Sequence, residues 1–226
     1  MTNTAVPDAE LLIATGCVHC PVVLAGLGEL IKAGRIGRLE VINIAQHPEI
    51  AEKRGVRGVP WIRIGPFELS GAHSRSELEE LVDRAGSPQG LQAYLRDSLE
   101  SGELEQVIGV CRRSPELLLP LLTLAGDRDT PFAVRIGVGA VLEDLATDDL
   151  LSGLTGPISQ LAASPQPQVR ADAAHFLGLT GSQDARSELE RLASSDEDQE
   201  VRDIALESLV ELGPATEVPA AQPRVD

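Results

Sequence analysis

Three helical segments in the second half of the chain share one pattern. Each begins with a Val-Arg pair, and Val134-Arg135, Val169-Arg170 and Val201-Arg202 recur every 32 to 35 residues. A shorter apolar segment that ends in Leu-Ala precedes each of them. Helix pairs that repeat at such a period stack as an α-solenoid, because each unit can bury its apolar face only against its neighbours. We therefore predict an all-α solenoid for this half of the chain.

The first part of the chain has a different pattern, in which short β-type runs alternate with helical ones. Their order, β-α-β-α-β-β-α, suits a four-stranded mixed sheet with flanking helices, an α/β fold. Ser74, followed three residues later by Glu77, predicts a capping box at the start of the last of these helices. The predicted strands cover 10–15, 38–45, 60–64 and 67–70, and the predicted helices cover 20–33, 47–54 and 74–84.

A change of composition at the Gly-Ser-Pro-Gln-Gly stretch separates the two parts. We therefore predict one domain over residues 1–86 and the solenoid over residues 87–214, with its first two helices as a degenerate capping unit. The last residues, 215–226, are rich in Pro and Ala and predict a disordered tail.

Two cysteines separated by two residues stand where the first strand gives way to a helix. The run is Gly16-Cys17-Val18-His19-Cys20-Pro21. A cysteine at a helix N-terminus is stabilised as a thiolate by unpaired N–H groups and by the helix dipole, so we expect Cys17 to be the nucleophile. Cys20 lies about one turn later and is the expected resolving thiol. A protonated His19 would favour the Cys17 thiolate further, although a neutral His19 that faces solvent fits the sequence equally well.

Other interpretations of the cysteines carry less weight. A zinc site needs four ligands, and the chain has one more cysteine and no second closely spaced pair, so we expect no metal and no other cofactor. A structural disulfide is also disfavoured, since a chain of 226 residues with a large apolar content needs no such cross-link. Cys111 stands alone in a helical segment, where a buried, inert thiol is the expectation.

A second motif, Gly58-Val59-Pro60-Trp61, enters a β-rich run about forty residues after the dithiol. With the Cys-x-x-Cys-Pro loop, it makes the first 86 residues resemble the thioredoxin/glutaredoxin fold, and in particular the small glutaredoxin-like domain of bacterial peroxiredoxin reductases. The resemblance implies that Pro60 is cis and shields the sulfurs. It also implies that Val59 offers its backbone to an incoming chain as an added strand.

The sequence departs from true thioredoxins in two places. Their loop is Trp-Cys-Gly-Pro-Cys, whereas Thr15-Gly16 precedes the first cysteine here, and their buried acid six positions before that cysteine is replaced by Leu11. Trp61 follows the expected cis-proline, and the sequence leaves open whether it belongs to the core or flanks the substrate groove.

The pattern Val-Arg-x-x-Ala-x-x-x-Leu resembles HEAT-like repeats of the bilin-lyase type, over roughly residues 115–213. Such arrays serve as scaffolds and binding surfaces. Residues 87–226 carry ten Lys/Arg against twenty-four Asp/Glu. This acidity disfavours nucleic acid and anionic membranes and favours a basic or neutral protein partner, although an acidic face also serves solubility.

The N-terminal sequence has no basic cluster and no long apolar run, and we expect a cytoplasmic protein. Two functions are compatible with these features. The first is a thiol-disulfide oxidoreductase whose repeats select a protein partner with a disulfide or dithiol. The second is a redox-responsive adaptor, in which the state of the dithiol alters what the repeats bind without turnover.

Overall fold

The structure, a computed structural model, describes residues 6–214. The chain divides into two compact units, one that ends at Asp97 and one that begins at Ser98. The predicted tail at 215–226 lies outside the described residues.

The first unit contains four strands and three helices in the predicted order. The ends of the predicted elements shift by one or two residues. β1 stops at Ile13 because Cys17 N–H donates to the Ala14 carbonyl in a turn, and β2 stops at Asn43, whose side chain accepts from Ala45 N–H. The elements are β1 (Ala9–Ile13), α1 (Cys20–Lys32), β2 (Leu39–Asn43), α2 (Pro48–Lys53), β3 (Trp61–Ile64), β4 (Phe67–Ser70) and α3 (Arg75–Ala85).

The four strands form one mixed sheet in the order β2-β1-β3-β4. β1 runs parallel to β2 and antiparallel to β3, and β4 pairs antiparallel with β3. The predicted α/β fold with a four-stranded mixed sheet and flanking helices is therefore confirmed. The main core lies on the face covered by α1 and α3, where aliphatic side chains are almost fully buried, among them Leu11, Val23, Leu27, Leu30, Ile62, Ile64, Leu78 and Val82.

Local sequence signals explain where the helices begin. Pro21 lies in the first turn of α1, where its missing N–H would have no intrahelical partner. Ser74 caps α3: its hydroxyl accepts from Glu77 N–H, while the Glu77 carboxylate accepts from Ser74 N–H at 2.7 Å. The predicted capping box is therefore present.

The described part of the second unit is helical and contains no strand. A further helix, α4 (Pro88–Glu100), contributes to both units, because Tyr94 packs edge-on against Phe67 with ring centroids 4.6 Å apart while Leu99 belongs to the second unit. The helices that follow are α5 (Leu104–Arg113), α6 (Leu118–Gly126), α7 (Phe132–Ala146), α8 (Thr155–Leu161), α9 (Pro167–Leu179), α10 (Arg186–Ser195) and α11 (Gln199–Leu212).

The Val-Arg pairs of the sequence lie in the first turns of α7, α9 and α11. Their valines, Val134, Val169 and Val201, are at most 1% exposed. The preceding short helices α6, α8 and α10 pack against α7, α9 and α11, respectively, and α9 packs against both α7 and α11. This is the predicted solenoid of stacked helix pairs.

Arginines of the Val-Arg pairs connect neighbouring repeats. Arg135 on α7 is paired with Asp172 on α9. Arg170 on α9 donates two hydrogen bonds of 2.7 Å to Asp196, which precedes α11. Asp196 is 8% exposed, and these bonds hold the pKa of its carboxyl below the ordinary range. In the pairs of α7 and α9, the valine therefore supplies the core contact and the arginine the contact to the next repeat.

Candidate active site

Cys17 and Cys20 lie together at the junction of β1 and α1 and form a disulfide, with their Cα atoms 5.6 Å apart. Gly16 precedes them with a φ of +82°, a conformation that L side chains rarely adopt. Cys20 is the first residue of α1, so the positive end of the helix dipole points at the pair. The sequence placed both cysteines at this junction, and the structure agrees.

The two sulfurs differ in their access to solvent. Cys17 is partly exposed, whereas Cys20 is 5% exposed. In addition, Cys20 N–H points at the Cys17 sulfur, with an N–Sγ distance of 3.2 Å. A donor in that position would stabilise a thiolate on Cys17 once the disulfide is reduced. Geometry and access therefore both distinguish Cys17 as the sulfur that an incoming group can reach.

The Val-Pro loop faces the disulfide, although about forty residues separate the two in sequence. The Val59-Pro60 peptide bond is cis, and the Val59 carbonyl oxygen lies 3.9 Å from Cys17 Sγ. Gly71 N–H donates to the Pro60 carbonyl at 2.9 Å and fastens the loop to the end of β4. Within residues 6–214, Val59 itself forms no backbone hydrogen bond. Its N–H and C=O groups are thus available for hydrogen bonds to another chain beside the Cys17 sulfur.

His19 and Val18 form the outer part of the dithiol loop. His19 is exposed and occupies the N-cap position of α1, and its side chain makes no capping hydrogen bond. Val18 is 78% exposed. The loop therefore presents an apolar side chain and an imidazole to solvent next to the accessible sulfur.

A buried charged cluster lies on the sheet face opposite the main core, and the sequence prediction does not single it out. Glu10 is 3% exposed, and its Oε2 lies 2.9 Å from both Arg54 and Arg63, whose side chains are about one-third exposed. Its other oxygen, Oε1, has no partner. The neighbouring Leu11, at the position of the thioredoxin acid, belongs to the apolar core. The sequence signal for this cluster is the alternation along β1, because adjacent residues of a strand point to opposite faces of the sheet.

Trp61 belongs to the interior. It is 5% exposed, and the Arg54 guanidinium lies over its ring, 5.8 Å from the centroid. Of the two roles that the sequence left open for Trp61, the structure supports the core position, directly after Pro60.

Cys111 lies on α5 in the second unit and is fully buried. Burial raises the pKa of its thiol to about 12, and the nearby Glu116 adds to the effect. The expectation of a buried thiol is confirmed. Within the described residues, no group of three or more His, Cys, Asp and Glu side chains could hold a metal ion, and no helix is long and apolar enough to cross a membrane.

Comparison with known families agrees with this architecture. Residues 9–83 match the thioredoxin domain family, and these residues contain all four strands and the dithiol. Residues 154–226 match the family of HEAT repeats. No curated protein matches the chain. The chain therefore carries a thioredoxin-like domain with a Cys17–Cys20 pair and, after it in sequence, HEAT repeats.

Proposed function

We propose that the protein is a thiol-disulfide oxidoreductase of the cytoplasm that acts on a protein partner held by its HEAT repeats. The observation that carries the proposal is the unequal exposure of the two sulfurs beside an unpaired backbone segment. Cys17 is accessible, Cys20 is buried and bonded to it, and the Val59 carbonyl lies beside the Cys17 sulfur. A dithiol that exchanges with large substrates needs one sulfur to attack and a second, protected sulfur to resolve.

The reaction proceeds by two exchanges. The Cys17 thiolate attacks one sulfur of the partner's disulfide, which forms a mixed disulfide and releases the other partner sulfur as a thiolate. Cys20 then loses its proton and attacks Cys17 Sγ, so that the Cys17–Cys20 disulfide forms and the second partner sulfur leaves as a thiolate. Two electrons pass from the dithiol to the partner, and a dithiol reductant restores the starting state. The reverse sequence oxidises a partner dithiol.

The backbone at Val59 provides a binding site for the partner's backbone. Because its N–H and C=O groups have no backbone partner, an extended chain can pair with it as an added strand. Such pairing would place a partner cysteine opposite Cys17, whose sulfur lies 3.9 Å from the Val59 carbonyl. Pro60 would keep the loop in the shape that leaves this edge open. His19 would stabilise the Cys17 thiolate when protonated.

Trapping variants test the assignment of the two sulfurs. Cys20→Ser should form mixed disulfides through Cys17 that persist, because the resolving thiol is absent. Cys17→Ser is the matched control, and it should trap little, since Cys20 is buried. The readout is the amount of covalent complex, on non-reducing gels, with a protein disulfide substrate such as insulin. Equal trapping by both variants would refute the assignment.

A redox titration tests the function itself. Equilibration in glutathione buffers, followed by thiol labelling, should show a reversible two-electron transition of the Cys17–Cys20 pair that Cys111→Ser leaves unchanged. Catalysed reduction of insulin by dithiothreitol should accompany it and disappear in Cys17→Ser. A reversible transition without any turnover would instead support the redox-responsive adaptor.

A further inference from the structure

A groove of about 300 Å³ lies between α7 and α9, the long helices of two neighbouring repeats. Its lining includes Gly139 and Ala140 of α7 and the buried Phe176 of α9. The small side chains on α7 leave the space open: a Cβ added to Gly139 would come no closer than 4.0 Å to Phe176. The groove is therefore a consequence of residue size at two positions of one helix.

One end of the groove is apolar. Phe132 and Ile136, one turn apart on α7, are 68% and 57% exposed. Single exposed apolar residues are common on proteins, but these two lie one turn apart on one helix and line the same groove. This end can accept apolar side chains of a ligand.

The other end of the groove is negative. Glu143 lies two turns beyond Ile136, its side chain is 58% exposed, and its only hydrogen-bond partner within the described residues is His175, at 3.0 Å. The C-termini of α7 and α9 add negative dipole ends, and neither helix has a basic residue in its last turn. No lysine is present from residue 98 to the end of the chain.

The arginine of the groove does not offset this charge. Arg135 is paired with Asp172 and donates to the Gln168 side chain at 3.3 Å, and it is 14% exposed. Its charge is therefore already neutralised inside the groove wall. A ligand that enters meets an apolar end and a carboxylate end.

We propose that this groove binds a short basic-apolar segment of a partner protein, with apolar side chains on Phe132 and Ile136 and a Lys or Arg at Glu143. Phe132 and Glu143 are eleven residues apart on one helix, which corresponds to about 16 Å. An extended peptide covers that distance with about five residues. That the segment belongs to the redox partner rests on the proposed function, whereas the binding of the segment to the groove does not.

Selection from a library of short random peptides displayed on phage, with the full-length protein as bait, tests the groove. Enriched peptides should carry apolar residues followed or preceded, about five residues away, by Lys or Arg. Ile136→Ser should weaken their binding about tenfold or more, as expected when the burial of one apolar side chain is lost. Glu143→Gln should weaken binding and reduce its dependence on salt. Leu119→Ser, at a 51% exposed leucine on α6 outside the groove, is the matched control and should bind normally.

Three outcomes would overturn the proposal: no enriched peptide, enriched peptides without a basic residue, or equal binding by Ile136→Ser and the control. Sedimentation provides a further check, because a dimer that Ile136→Ser converts to a monomer would identify the groove as an interface between two copies. The redox titration of the Cys17–Cys20 pair should be identical in all these variants. A failure of the groove is therefore distinguishable from a failure of the oxidoreductase.

Discussion

The three cysteines show how position decides the chemistry of one side chain. Cys17 and Cys20 stand at a helix N-terminus, where backbone N–H groups favour a thiolate, and one of them reaches solvent. Cys111 is fully buried on α5, where desolvation disfavours the charged form. The first two are suited to exchange with other sulfurs, and the third is protected from it.

The burial of Cys111 predicts its behaviour towards pH and reagents. At pH 8 the reduced native protein should react quickly at Cys17, more slowly at Cys20, and at Cys111 only after unfolding. The pKa of Cys111 is raised from 9.0 to about 12 on folding. Its neutral form therefore contributes stability that is fully present below about pH 9 and is lost as the pH rises towards 12. Thiol labelling across pH, with mass spectrometry of each peptide, measures the reactivity of each cysteine. Urea unfolding at alkaline pH measures the stability.

Fast labelling of Cys111 in the folded protein at pH 8 would contradict the prediction. Cys111→Ala is the control for the stability at alkaline pH. Its free energy of unfolding should fall less steeply above about pH 9 than that of the wild type.

At the scale of elements, the alternation of the strands separates the face of the main core from a second face on which Glu10 and Arg63 lie beside the buried Leu12 and Trp61. Adjacent residues of β1 illustrate this, because Leu11 enters the main core while Glu10 faces the two arginines on the other side. Arg63 lies directly opposite Glu10 in the antiparallel pair of β1 and β3. The cluster thus joins the two central strands and α2, next to Trp61 and the Val-Pro loop.

We expect the members of this cluster to differ in what their loss costs. Replacing both arginines (Arg54→Leu with Arg63→Leu) leaves a buried carboxylate unpaired and should lower the free energy of unfolding by about 3 kcal/mol. Glu10→Leu should cost less than about 1 kcal/mol, since both arginines are one-third exposed and can reach water. Urea unfolding, followed by the fluorescence of Trp61, the only tryptophan, measures both.

The triple variant completes the comparison. Adding Glu10→Leu to the double arginine variant removes the unpaired charge and should recover most of the lost stability. An unfolding free energy that falls further instead would show that packing around Glu10, and not its charge, governs the cluster.

At the scale of the whole molecule, charge is distributed very unevenly. The chain has a net charge of −16, nearly all of it in the solenoid half. Several arginines there are already paired with nearby carboxylates, as in the contacts of Arg112, Arg135 and Arg170. The remaining carboxylates repel one another across a surface without lysine.

This surplus predicts that salt stabilises the protein. Raising NaCl from about 10 mM to about 150 mM shortens the screening length from about 30 Å to about 8 Å, which suppresses repulsion between distant carboxylates. The exposed ion pairs lose little, because each contributes at most about 1 kcal/mol. We expect the Tm, measured by circular dichroism at 222 nm, to rise by about 2–4 °C. A Tm that falls over this range would mean that the ion pairs outweigh the repulsion.

Local patterns in the sequence were sufficient for much of this architecture. The spacing of Cys17 and Cys20 and the Ser74–Glu77 capping box depend on residues close together in the chain, so helix geometry predicts their structure. The Val-Arg pairs repeat every 32 to 35 residues, and this period predicts the stacked helix pairs. The resemblance to thioredoxin-like domains added the cis Val59-Pro60 bond, which the structure contains.

Other features depend on contacts between distant parts of the chain, and only the tertiary structure decided them. The burial of Glu10 between Arg54 and Arg63 and the core position of Trp61 both follow from how strands and loops meet. The groove at Phe132 exists because small residues of α7 face α9 in the next repeat. Local sequence determined which elements form, while packing determined which side chains they bring together, because those contacts depend on all the elements at once.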